Sequence, residues 1–183
     1  MSRPFLWEAF IEGDRFTERF EREAHALPAI RRGVNALPGE VPGMWPYYVK
    51  LNENGFVTRD LQAEHVCLVT YAFHQQSERY PVHRAGVGLG QALRELRASD
   101  KFSQDAIDAH VARLATADQI NETAHHLRAL THRMKASKKA IVFDYTRLFF
   151  DLVGLQDEQT AGRVRRRWGA AYFSTSDTQG SES

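Results

Sequence analysis

The chain is nearly without cysteine, without long apolar runs and without net charge. A single Cys67 among 183 residues excludes a disulfide within the chain and fits a reducing compartment. Cys67 lies in the apolar run 65–69, where a lone thiol reads as a packed core group, a nucleophile being the other reading. No apolar run approaches the roughly 20 residues that a membrane span needs. Glu8, Glu12 and Asp14 interrupt the first apolar region, so the start does not read as a secretory signal. A soluble, cytoplasmic protein with no membrane partner is expected. Lys and Arg number 24 against 23 Asp and Glu, a net charge of +1, so bulk charge names no partner.

Catalytic signatures are missing as well. No HExxH, no His-Asp dipeptide, no Gly-x-Ser-x-Gly elbow and no paired acidic motif occurs. Eight His are present, and His125, His126 and His132 fall close together. His125 and His132 are two turns apart, whereas ligands on one helix favour i, i+3 or i, i+4 pairs with carboxylate or His partners. Imidazoles at the edge of a basic face are the preferred reading, and a His-bound metal in a hydrolase is the rival. Gly86-Val-Gly88-Leu-Gly90 could cradle a phosphate, but it lacks a preceding strand and a Gly-Lys-Ser/Thr end. It reads better as a tight, closely packed start to a helix. No enzyme activity, catalytic residue, metal or cofactor is expected.

What is present is helical periodicity. Strand signals are scarce. Phe5, Trp7, Phe10, Ile11, Phe16 and Phe20 predict an aromatic first helix that Gly13 bends or splits. Pro28 starts a short helix that Gly33 ends, and the prolines and glycines of 35–43 make a loop. A short helix follows over 44–51. Thr58 or Asp60 caps a helix to about His74, and 88–98 and 104–114 make two more, the latter capped by Ser103. Thr116 or Asp118 caps the next helix. Ser137 caps an apolar one through 141–153 that Gly154 stops. Asp157 opens the last, which ends near Phe173. The fold class is all-α: an amino-terminal helical portion (1–78), a linker (79–87), a carboxyl-terminal bundle of about five helices (88–173) and a disordered tail (174–183).

The most informative stretch is 116–139. Ile120, Ala124, Leu127, Leu130 and Met134 form one apolar stripe, while Arg128, Arg133, Lys135, Lys138 and Lys139 make the rest steadily basic. No carboxylate lies between Thr123 and Ala140. Residues 1–30 hold six acids against four Arg, and 123–168 hold ten Lys or Arg against four acids, so charge is separated along the chain. Further basic groups are Arg31 and Arg32, Arg59, Arg94 and Arg97, and Arg163, Arg165, Arg166 and Arg167. Arg grips phosphate bidentately, which points to a polyanion partner; surface ion pairs or contacts to other proteins are the alternative. If about six of these groups neutralise phosphates, single-strand affinity falls roughly 300-fold between about 50 and 200 mM salt.

Several stretches in order resemble one family. They are Leu-Pro-Ala-Ile-Arg-Arg-Gly-Val at 27–34, Leu-Pro-Gly-Glu-Val-Pro-Gly-Met-Trp-Pro at 37–46, Gly-Leu-Gly-Gln-Ala-Leu at 88–93, Leu-Arg-Ala-Leu-Thr-His at 127–132 and the apolar 141–153. Across about 27–170 the chain resembles the CasB family, the small subunit of the type I-E CRISPR surveillance complex Cascade. The resemblance implies an all-helical, non-catalytic subunit set beside a second copy of itself and other Cascade subunits. Its partners would be guide RNA and target DNA, including the displaced strand. The family's basic residues match at Arg32, Arg59 and Arg128, and more loosely at Lys138, Lys139 and 163–167. Where the family would carry an arginine pair, this chain has Gln104-Asp105-Ala106, and its segment 14–25 is longer. An assembly protein that contacts only other protein subunits is the alternative reading.

Overall fold

The structure is a computed structural model and describes residues 3–175. The tail expected over 174–183 therefore lies outside the described residues from 176 onward. The all-α expectation holds, with one small hairpin as the exception. The aromatic first helix is broken into α1 (Leu6–Ala9), the strands Ile11–Glu12 (β1) and Arg15–Phe16 (β2), and α2 (Glu18–Glu23). Gly13 is the cause: it takes φ +61° in the two-residue turn that pairs Glu12 with Arg15. The Thr17 hydroxyl then restarts the helix by accepting from Phe20 N. The aromatic rings still cluster, Phe20 lying 3.8 Å from Phe16 and 5.3 Å from Phe10, centroid to centroid.

The chain continues through α3 (Leu27–Arg32), with Pro28 in its first turn, and the 3-10 turns Gly33–Asn35 and Pro42–Tyr47. Next comes α4 (Arg59–Gln75), capped by Thr58, whose hydroxyl accepts from Leu61 N. This helix is buried on nearly every side, as expected of a central element. α3 packs on it, as do α7 (Ile120–Ala136) and α8 (Tyr145–Leu155). Its one buried carboxylate, Glu64, accepts from Val49 N at 2.6 Å and Lys50 N at 2.7 Å. Those two amides oppose the rise in its pKa that burial imposes.

α5 (Leu89–Arg97), α6 (Gln104–Thr116) and α9 (Glu158–Tyr172) complete the five-helix carboxyl-terminal portion with α7 and α8. Buried side chains from 1–78 and 88–173 meet in one connected core. Segment 79–87 contributes Val82 to that core, and the Val82 amide donates to Gln75 Oε1 at 3.0 Å. Gly90 lets α5 and α9 approach closely: a Cβ there would stand 2.6 Å from the Trp168 carbonyl oxygen. Within the glycine cluster Gly90 thus serves packing, while Gly86 takes φ +86° with nothing within 4 Å of a Cβ.

Two expected helix starts shift. α7 begins after Gln119, with no side-chain cap from Thr116 or Asp118. α8 begins after Asp144; 141–142 are not helical, and Phe143 forms an isolated bridge with His83. Phe143 N donates to Val82 O at 3.2 Å and Arg84 N to Phe143 O at 3.1 Å, so this backbone is already paired. Asp144 then caps, its Oδ1 accepting from Arg147 N and its Oδ2 from Gly86 N. Gly154 lies within the last turn of α8 rather than ending it.

Candidate nucleic-acid interface

Helix α7 presents two parallel stripes. The apolar one is buried at Ala124, Leu127, Leu130 and Met134, with Ile120 half-buried. One or two residues later in each turn runs Asn121, His125, Arg128, His132 and Lys135, spaced i, i+4, i+7, i+11, i+14. That spacing sets the polar stripe beside the buried one, on the edge of the seam between α7 and α4.

At the Asn121–Arg128 end of the stripe is a groove of about 640 Å³, walled by residues 34–38, α4 and α7. Asn35, Gln62, Asn121, His125 and Arg128 are polar groups on its lining, and no carboxylate lines it. Its floor includes buried His65, whose Nε2 lies 3.0 Å from Gly33 O and whose Nδ1 lies 2.6 Å from the Tyr48 hydroxyl. The carbonyl requires Nε2 to donate, so Nδ1 accepts from Tyr48. Burial, the largest influence, lowers the His65 pKa and keeps the ring neutral.

Arg128 is half-buried, and burial works against its charge. Among the described residues no hydrogen bond or ion pair reaches its guanidinium. A desolvated cation without a counter-charge is poised to gain from an arriving anion. Arg32 is exposed at the end of α3, directly before the groove wall at 34–38, and it too has no ion pair among the described residues.

Other candidates are committed to the fold. Arg31 donates to Ala72 O at 3.3 Å, and Lys135 to His74 O at 2.9 Å and to Gln76 O, so both close the carbonyl end of α4. Lys135 also pairs with Glu78 at 3.4 Å. Arg59 sits at the opposite end of α4, paired with Asp157 at 3.1 Å. The 17 residues of α4 separate it from Arg31 by roughly 25 Å. Arg97 holds Asp108 with two bonds, at 2.7 and 3.1 Å, and this grip is what lowers the Asp108 pKa. Arg94 donates to Ala171 O and Ser174 O, and Arg165 to Ala117 O beside Asp118. Arg133 bonds its own helix at Ala129 O and faces α6, where with Arg113 and His126 it adds to the lowering of the His110 pKa that burial begins. Lys139 reaches Ala98 O at 3.5 Å, while Lys138 and Arg166 are exposed. The dozen basic candidates therefore do not form one track. Arg31, Arg32, Arg128 and Lys135 gather around α3, α4 and α7; Arg59 lies at the far end of α4, Arg133 on the α6 side of α7, and the rest on α5, α9 or the segment after α7.

The family profile of the CRISPR-associated protein Cse2 matches residues 26–173. The chain belongs to that family. The Cse2 match begins after α1, the hairpin and α2. Among solved structures, CasB from Thermobifida fusca is 26% identical with a TM-score of 0.65, covering 84% of this chain and 86% of its own. CasB from Thermus thermophilus is 22% identical, with a TM-score of 0.62 and coverage of 82% and 86%. A second Thermus thermophilus structure, of a CRISPR-associated protein of the Cse2 family, is also 22% identical, with a TM-score of 0.64 and coverage of 85% and 92%. No curated protein sequence matches significantly. CRISPR association, consistent with membership of a Cascade complex, is thereby established for this Cse2-family chain. No described helix is long and apolar enough to cross a membrane, and no cluster of three metal-ligating side chains occurs among the described residues.

The basic residues were visible in the Cse2-family sequence, but the groove's amides were not. Asn35, Gln62 and Asn121 carry no charge, and Asn35 and Gln62 lie on different elements from Arg128. The signal that could have found Asn121 and His125 is their i, i+4, i+7 spacing with Arg128.

Proposed function

We propose that the chain is a non-catalytic subunit of an RNA-guided Cascade complex. It sits beside a second copy of itself and holds nucleic-acid backbone, stabilising target DNA and the displaced strand. Base pairing with guide RNA reads the sequence in such systems, and protein charge supports the opened strands. Arg128 carries this reading: it is half-buried, unpaired among the described residues and set in a groove free of carboxylates. Arg32 beside the groove supplies a second positive charge, and the imidazoles of His125 and His132 continue the polar stripe.

The test is target retention by the assembled complex containing Arg32→Glu with Arg128→Glu. The double reversal should weaken target binding and reduce the slope of log affinity against log salt by about 1.4, near 0.7 for each single-strand phosphate no longer neutralised. Unchanged retention with both substitutions in place rejects the surface.

A second reading, an assembly protein that meets only other proteins, is favoured by apolar exposure next to the groove. Leu37 is 59% exposed, Phe56 72% and Val57 48%. Ultraviolet crosslinking separates the two readings, since a purely protein-binding subunit yields no adduct with DNA or RNA.

A further inference from the structure

The groove at Arg128 has more than a cation to offer. Its volume, about 640 Å³, falls within the range of small-ligand sites. Three amide side chains, Asn35, Gln62 and Asn121, line it from three separate segments. Each amide holds a donor and an acceptor in one plane, the pattern that matches the polar edge of a nucleobase. Between them lie aliphatic surfaces, Val34, Pro38, Val66 and Ile120, with Leu37 and Val57 left open to water at the mouth. A plain phosphate track needs neither the aliphatic walls nor the amides. His125 and Arg128, one turn apart on α7, add an imidazole ring and a guanidinium plane, both of which stack on bases.

We infer that this groove takes one unstacked base of a single-stranded nucleic acid, with the adjoining phosphate held by Arg128. The inference rests on the backbone-binding reading and adds a base slot to it. The amides bond the base edge, the aliphatic walls cover its faces, and the groove's lack of carboxylates admits the phosphate.

The test uses the full chain and two single strands of equal length, one carrying a 2-aminopurine and its twin an abasic site at that position. The base-bearing strand should bind about tenfold more tightly, the effect expected of one buried base, and its fluorophore should be shielded from an added quencher. Gln62→Leu with Asn121→Leu should abolish both the shielding and the tenfold preference while leaving the abasic strand's affinity unchanged. Asn121→Ala alone, at an exposed helix position, should halve the effect or more without disturbing the fold. Arg128→Gln should weaken both strands. Equal affinity for the two strands with an unshielded fluorophore overturns the base slot and leaves the backbone reading standing. Failure of both strands to bind overturns both. Adenosine monophosphate binding as tightly as the strand makes this a free-nucleotide site and overturns the assignment to a strand.

Discussion

His74 is fully enclosed at the end of α4, its Nδ1 3.0 Å from the Tyr145 hydroxyl and its Nε2 3.0 Å from Ile141 O. Burial first, and then nearby Lys135, lower its pKa to about 3. The ring stays neutral in the folded chain but protonates near 6.5 when unfolded, so the unfolded state binds the extra proton. The stability this contributes is present above about pH 6.5 and is lost as pH falls toward 3. His65 and His83, also lowered by burial, act in the same direction, while Glu64 and Asp151, raised by burial, oppose them at the acid end. In denaturant titrations at several pH values, His74→Gln should flatten the acid loss by about 1.4 kcal/mol per pH unit between pH 6 and 5. An identical slope in the variant rules out His74 as a source. Residue identity alone shows none of this, nor does it show that Arg31 and Lys135 close α4: their carbonyl partners lie far away in the chain. Sequence gives the type of a charged group, and tertiary structure decides what is left for it to hold.

At the scale of elements, caps with a local donor were legible: Thr58, Ser103 and Asp157 each accept from an amide two or three residues on. The missed boundaries were those set by distant backbone, as where Val82 and Arg84 claim Phe143 and delay α8. Two glycines give a paired test of helix packing. Gly90→Ala should destabilise by about 1–3 kcal/mol, since a new methyl meets the fixed Trp168 carbonyl on α9. Gly169→Ala has nothing within 4 Å of its Cβ and should instead stabilise by up to about 1 kcal/mol through helix propensity. Thermal melts of the two variants should move in opposite directions; parallel shifts would mean that α5 and α9 are not so closely packed.

For the whole molecule, a net charge of +1 conceals a separation of charge that the fold only partly uses. The bundle was legible from its periodicity, but the shared surface was not, because Arg59, Arg97, Lys135 and Arg165 already face carboxylates. Two free cations at this surface, Arg32 and Arg128, in place of six predict that single-strand affinity falls about 7-fold between about 50 and 200 mM salt, not 300-fold. Binding measured across that range distinguishes the two slopes. Assembly order adds a constraint. The groove's walls come from 34–38 and from α7, both packed beside α4. If the groove is the nucleic-acid site proposed above, a chain still emerging from the ribosome lacks it until α7 has been synthesised and docked on α4, so binding there waits on a late step of folding.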